Sequence, residues 1–371
     1  LWQKESSIKS SNVKTSKQSL PQTHIYSLDI EAMRNILAEA PGRSQNVRRS
    51  NVIMAFPNSE GELERFRIVE ASVLSPELQA HYPNIRSYAG QGIDDPTAVI
   101  RFSLSPLGFQ SMRLSANRPA SFIEVISEDM DQYVVFKRAD KLNALNEFEC
   151  SVTESVNRAI NSGTALRNAD DSILRTYRLA VSTTGEYTSY HGGTKALALA
   201  AINNTMTRVN GIFEVDFNVT MILIGNTDDV IYTNAGSDPY GSSGQWNSQL
   251  QSTLSSVIGE ANYHVGHLFA QGQNNGNAGC IGCVCVNNQK GRGWTNASVP
   301  EGDFFDVDYV AHELGHQFGA NHTWTHGGNE GTNVQVEPGS GSTIMSYAGI
   351  TGATDVQNNV HPNFHAVSIE Q

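Results

Sequence analysis

The run His312-Glu313-Leu314-Gly315-His316-Gln317-Phe318-Gly319-Ala320-Asn321-His322 constrains this chain more than any other stretch, because a fold that contains it must bring three imidazoles together. Placed on a helix, His312 and His316 stand four residues apart and share one face, within reach of a single zinc ion at Zn–N distances of about 2.0–2.1 Å. Glu313 sits beside them and is the candidate general base, placed to take a proton from a water at the metal. Gly319 is where the helix can end in left-handed backbone, turning the chain so that His322 returns to a third coordination position. Three protein ligands leave the fourth position open for water, which is the arrangement of a catalytic zinc site.

The helix has independent support. Val307, Val310, Leu314 and Phe318 recur at spacings of three, four and four, an apolar stripe opposite the histidines. Downstream, the glycine-rich Glu337-Pro338-Gly339-Ser340-Gly341 leads into Ser342-Thr343-Ile344-Met345-Ser346-Tyr347, a tight turn carrying a methionine and, two residues later, a tyrosine. A methionine alone is ordinary core filling. Following the long histidine motif, the turn resembles that of the metzincin metallopeptidases, in which Met345 would form an apolar floor beneath the three histidines.

The flanking segments narrow the resemblance. Tyr263-His264-Val265-Gly266-His267-Leu268-Phe269, Lys290-Gly291-Arg292-Gly293-Trp294, Asp306-Val307-Asp308-Tyr309-Val310-Ala311 and the run Val336 to Met345 are similar to bacterial reprolysin-like (adamalysin-related) metalloendopeptidases, over roughly residues 175 to 371. The resemblance implies an α/β zinc peptidase domain of metzincin type, a twisted sheet with an active-site helix, preceded by a β-rich prodomain. It also implies a zinc-dependent endopeptidase made as a latent zymogen, its own propeptide acting as an intramolecular inhibitor. In Phe148-Glu149-Cys150-Ser151-Val152, Cys150 falls where bacterial relatives place a cysteine that ligates the catalytic zinc. A thiolate there, with a Zn–S bond of about 2.3 Å, would displace the water; the competing account is a small buried structural residue. Tyr347 matches a tyrosine that in some metzincins binds the zinc or stabilises the oxyanion, and is a candidate auxiliary. Two positions depart from the pattern. Thr323 stands where animal adamalysins usually carry Asp, and Thr351 follows the methionine turn where relatives often carry a cysteine.

Composition bounds the remaining classes. The length, 371 residues, suits two domains, set at 1–170 and 171–371, and 39% hydrophobic residues suffice for ordinary cores. No apolar run approaches the roughly 18 residues that span a membrane, and a net charge of −12 repels nucleic acid. The start at Leu1 suggests a removed leader, so the expectation is a secreted, extracellular bacterial protein, monomeric and acting on protein or peptide substrates. Excess carboxylates make structural Ca2+ a candidate beside Zn2+, although no EF-hand-like run is present. A zinc-containing binding or adhesion module without turnover is the rival reading; the intact Glu313 argues against it.

Along the chain, residues 1 to about 20 are polar and expected to be frayed. A helix is expected at about 29–39 and a β-rich domain at about 51–137. A polar connector follows at about 155–175, with Arg167 and Arg175 as cutting points whose cleavage would release activity. Beyond it the patterns give a strand from Tyr177, a helix Lys195–Phe213, a strand Asn218–Ile224, a helix from Gln245 to about Ala261, and short strands at about 265–269 and 281–286, the latter the expected edge for an extended substrate. Cys280, Cys283 and Cys285 suggest a local disulfide, with Cys280–Cys285 preferred because residues 283 and 285 would point the same way along a strand. His264, His267, His326, His361 and His365 are read as surface or hydrogen-bonded core residues.

Overall fold

A computed structural model describes residues 1–9, 20–21, 24–43, 47–141, 148–152, 173–328 and 330–371. Most of the expected connector, including Arg167 and the 170/171 boundary, lies outside the described residues, as do residues 10–19.

The N-terminal region is a barrel-like sheet of nine antiparallel strands: β1 (Trp2–Glu5), β2 (His24–Leu28), β3 (Ile53–Pro57), β4 (Leu63–Glu70), β5 (Arg86–Gly92), β6 (Val99–Ser105), β7 (Gly108–Leu114), β8 (Ser121–Val125) and β9 (Gln132–Lys137), in the order β1-β2-β9-β8-β7-β6-β5-β4-β3. Alternation produces it. In β4, Phe66 and Ile68 are buried while Arg65 and Arg67 face outward. The concave face closes on aromatic rings, with Phe56 5.0 Å from Phe102 and 5.9 Å from Phe109. The start of the chain is not frayed as expected: β1 pairs with β2, and Trp2 packs edge-on against Tyr26, Phe109 and Tyr133, so apolar burial outweighs the polar composition around it.

A second sheet joins β10 (Glu149–Cys150), β11 (Arg175–Thr183), β12 (Val219–Leu223), β13 (Val265–Gln271), β14 (Asn275–Asn277) and β15 (Gly293–Ala297) in the order β10-β14-β15-β13-β11-β12. Four strands run parallel, and β14 is antiparallel to β15. Arg175 opens β11, where its N–H donates to the Asn218 carbonyl at 2.8 Å, so one of the two expected cutting points is the first residue of a sheet strand. Residues 281–286 form no strand. Gly282 (φ 75°) and Cys285 (φ 66°) adopt left-handed backbone that a strand cannot contain. The disulfide accordingly joins Cys280 to Cys283, not to Cys285, which is exposed and free; Cys150, half-buried, is also outside any disulfide.

Between the two sheets lies the helix Lys195–Phe217, opened by the Thr194 side chain accepting from the Leu197 N–H and closed by Asn218 in left-handed backbone at φ 52°. It is buried continuously from Ala198 to Phe213, and a helix covered on all sides needs no amphipathic stripe. Its one buried cation, Arg208, is neutralised from both directions: by Glu124 of β8 at 2.7 Å and by Asp306 at 2.9 Å. Replacing Arg208 by Met leaves two buried carboxylates without their cation, a loss of about 3–5 kcal/mol. A clear fall in the urea midpoint of the full chain is expected; a wild-type midpoint would contradict this account.

Candidate metal centre

The metal-bearing helix begins before its motif. A wide π-helical stretch, Phe304–Val310, in which the Ala311 N–H reaches back to the Asp306 carbonyl, runs into the α-helix Ala311–Phe318. Val307, Val310 and Leu314 are fully buried in the core, as their spacing requires. Gln317 fixes the helix to the sheet. Its amide donates to the Gly266 carbonyl at 3.0 Å while its carbonyl accepts from His267 Nδ1 at 2.7 Å, and His267 Nε2 accepts from the Thr295 hydroxyl at 2.8 Å. Burial pushes the His267 pKa down to about 4, so the ring stays neutral in this relay. At the other end, Gly319 takes φ 126°, where its N–H serves the Gly315 and His316 carbonyls and a side chain would be strained. Gly282 and Val284 donate to the His316 and Gln317 carbonyls at 2.9 and 3.2 Å, so the disulfide loop caps the helix instead of forming an edge strand.

The turn at Gly319 brings His322 back. His316 Nε2 lies 3.2 Å from His312 Nε2 and 3.1 Å from His322 Nε2. Each opposite nitrogen has an acceptor: Nδ1–H of His312 donates to the Ile344 carbonyl at 2.7 Å, that of His316 to the Ala320 carbonyl at 2.7 Å, and that of His322 to the Glu330 carboxylate at 3.2 Å. These bonds select the tautomer whose Nε2 is a bare lone pair, so three lone pairs converge on one point. Burial, and then the neighbouring imidazoles, hold His312 at about 3 and His316 well below the ordinary histidine range, so neither can relieve the crowding by protonation. Ligand atoms around a tetrahedral zinc with bonds of about 2.0–2.1 Å stand about 3.3 Å apart. The set therefore fits Zn2+, and Cys150 completes it: the four ligand atoms all lie within 4.8 Å of one another. Among the described residues no other group of three or more His, Cys, Asp or Glu side chains could share an ion, and nothing supports the calcium candidate.

Cys150 reaches the centre along the sheet edge. Glu149 N–H donates to the Asn274 carbonyl at 3.1 Å and Ser151 N–H to the Gly276 carbonyl at 3.0 Å, which sets β10 parallel to β14. Behind β14 stands Glu313, both of whose carboxylate oxygens are buried without a hydrogen-bond partner. A Cβ on Gly276 would lie 2.3 Å from Glu313 Oε1, so only glycine lets the strand pass so close to that carboxylate. Burial pushes Glu313 up to about 8, and burial followed by the Glu313 charge pushes the enclosed Cys150 thiol well above its usual range. The Cys150 thiol beside three lone pairs is the donor set of a cation site, with Glu313 standing next to it. Tyr347 lies with its ring 4.9 Å from that of His322, and its hydroxyl donates to the Cys150 carbonyl at 3.4 Å. Burial, then Cys150 and Glu313, raise its pKa strongly and keep it a donor.

Two contributors were not legible as such in the sequence. Phe148 stacks on Tyr309 at 4.1 Å and shares with it a pocket also lined by Tyr347, Ala348, Ile350 and Val360. Glu337 joins the third-histidine segment to the methionine turn. Its carboxylate accepts from the Thr323 and Thr343 hydroxyls, each at 2.5 Å, from the Ser342 hydroxyl at 3.0 Å, and from the Ser342 and Thr343 N–H groups at 2.9 and 3.2 Å. Although burial opposes it, these donors hold Glu337 below the usual carboxylate range, so its contribution persists above that range and is lost as the pH falls below it. Thr323, singled out in the sequence as a departure from the resembled pattern, is one of these donors. Met345 is fully buried, and its Sδ would lie 2.6 Å from a Cβ on Gly315 of the histidine-bearing helix. Glu337→Ala should weaken zinc binding about 10–100-fold in a chelator competition, with Thr323→Val showing a smaller effect. Wild-type zinc affinity in a folded Glu337→Ala chain would exclude this positioning role.

No curated protein matches the chain. The model of the reprolysin-like metallo-peptidases of family M12B matches residues 173–371, the part that carries the three histidines, Glu313 and the methionine turn. A match over more than half of the chain, carrying the three histidines that Cys150 joins from outside the matched part, places the protein in the M12B reprolysin-like metallo-peptidase family.

Proposed function

We propose that the chain is a secreted zinc endopeptidase in its latent form, with residues 171–371 as the catalytic domain and residues 1–170 as a propeptide whose Cys150 occupies the fourth ligand position. The observation that carries this reading is the placement of the Cys150 thiol within the histidine cluster, on a segment that fills the cleft. The Cys280–Cys283 disulfide supports an oxidising, extracellular compartment.

Zinc, when bound, supplies Lewis acidity toward a carbonyl oxygen and toward a water. Glu313 takes the proton of the attacking water and returns it to the departing amine; its oxygens are left without other partners for that exchange. Tyr347 keeps its phenolic proton and donates to the oxygen that becomes negative, once the Cys150 carbonyl has left it. β14 offers its free edge to an extended substrate when β10 departs, so main-chain hydrogen bonds hold the peptide where Glu149 and Ser151 now bond. The pocket that Phe148 shares with Tyr309 receives a bulky apolar side chain next to the scissile bond.

Glu313→Gln should keep its zinc and lose about 10²–10⁴-fold in casein hydrolysis after the N-terminal region has been removed. Full metal content with near-normal turnover would refute the assignment, and a wild-type chain with no chelator-sensitive hydrolysis would favour the binding-module reading. Replacing any one of His312, His316 or His322 should lower metal content and activity together.

Latency has its own test. Cys150→Ser in the intact chain should give measurable activity or faster self-processing, and Phe148→Ala combined with it should give more, because the pocket is then vacated as well. Unchanged latency in a folded Cys150→Ser chain would remove the thiol from the account and leave the peptidase standing.

A further inference from the structure

We infer that the N-terminal region remains bound to the catalytic domain as a separate chain after the connector is cut, so that one cleavage yields a noncovalent, still inhibited complex. This inference rests on the proposed peptidase reading only for the word inhibited.

Contacts of three kinds support it, distributed around the catalytic domain. The first is apolar. A single buried cluster contains Met112, Phe122, Val134 and Phe136 of the N-terminal sheet together with Met206, Val209 and Ile212 of the helix Lys195–Phe217. The two pack so closely that a Cβ on Gly211 would lie 2.6 Å from Arg101 Cγ. A core shared in this way is the mark of a stable interface, and it holds whether or not the backbone is continuous.

The second is charge. Arg138 pairs with Asp303 and Asp308, Lys141 with Asp303, Arg43 and Arg101 with Glu214, and Glu124 with Arg208. Asp303 is fully buried, and Arg138, Arg208 and Glu124 nearly so. Buried pairs of this kind add less affinity than specificity, because desolvation offsets their attraction, but they fix one register for the complex and oppose any other.

The third is main-chain pairing at both edges of the catalytic sheet. Leu74 lies beside Leu223 of the β12 edge, where the Leu223 N–H donates to Val73 at 2.8 Å and the Ser75 N–H to Leu223 at 3.0 Å. At the opposite edge, Glu149 and Cys150 pair with β14. The N-terminal region thus grips the sheet from both sides, and the β12 contact, unlike β10, lies away from the metal. Cutting a tether lowers the local concentration of a ligand from an intramolecular value to the bulk value, which releases it only if the untethered affinity is weak. Here it is anchored at several separate places, none of which includes the connector.

The partner is therefore the chain's own N-terminal fragment, and activation requires that fragment to be destroyed or unfolded. The test inserts the recognition sequence of a site-specific protease between residues 155 and 170 of the full chain, cuts it, and passes the product over a size-exclusion column at micromolar concentration. The fragments should co-elute, casein hydrolysis should stay near that of the uncut chain, and a second protease that digests the N-terminal fragment should raise it about tenfold or more. The cut Arg138→Met/Lys141→Met chain should lose its N-terminal fragment on the column sooner than the cut wild type. Separation of the wild-type fragments, or full activity after the single cut, would overturn the inference. Co-elution with no activity in any arm would uphold the complex and count against the peptidase reading instead.

Discussion

Three imidazole lone pairs aimed at one point form an arrangement that nothing but a cation relieves, and the rest of the domain serves to hold it. Helix pitch aligns His312 with His316, but orientation is set by what each Nδ1–H meets. Those acceptors come from the Ile344 carbonyl in the methionine turn, the Ala320 carbonyl just past Gly319, and Glu330 in the following loop. Three separate pieces of chain must therefore be in place before the ligands point correctly. Glu337 binds two of those pieces together, and Gln317 with His267 holds the helix against the sheet, so metal geometry and tertiary packing are one constraint.

The same logic explains how the centre is covered. Glu313 needs a dry environment with no competing donor to act as a base, and that leaves a carboxylate buried behind a glycine strand. A dry cleft must be closed by something. In this chain the closure is β10, which brings a thiol to the metal ligands, places Phe148 against Tyr309 and occupies the hydrogen bonds of β14. Under the proposed function, inhibition and substrate binding use the same surfaces.

The helix Lys195–Phe217 links the two halves. Buried between two sheets, it carries Arg208, whose partners lie one on each side, and its burial depends on both regions being present. This is the reverse of two modules joined by a flexible linker, for which relative motion would be the default.

What the sequence determined by itself was local. The spacing of His312, Glu313, His316, Gly319 and His322 specifies a helix, a left-handed turn and a metal site, because helix pitch and one positive φ bring all of these residues together within a few turns of chain. Alternation in the N-terminal half and the apolar stripe above the histidines were equally readable. Tertiary structure alone decided the rest. The Cys280–Cys283 pairing follows from left-handed backbone at Gly282 and Cys285, where alternation along a strand had pointed to Cys285. The proposed substrate edge is Asn275-Gly276-Asn277, a segment of poor strand propensity that becomes a strand because β15 pairs with it and Glu313 lies beneath its glycine. The roles of Phe148 and Arg208 depend on partners 161 and 84 or more residues away, and that of Glu337 on tying Thr323, 14 residues back, to the methionine turn; the energy of a buried carboxylate, ring or guanidinium is set by which groups the fold places against it.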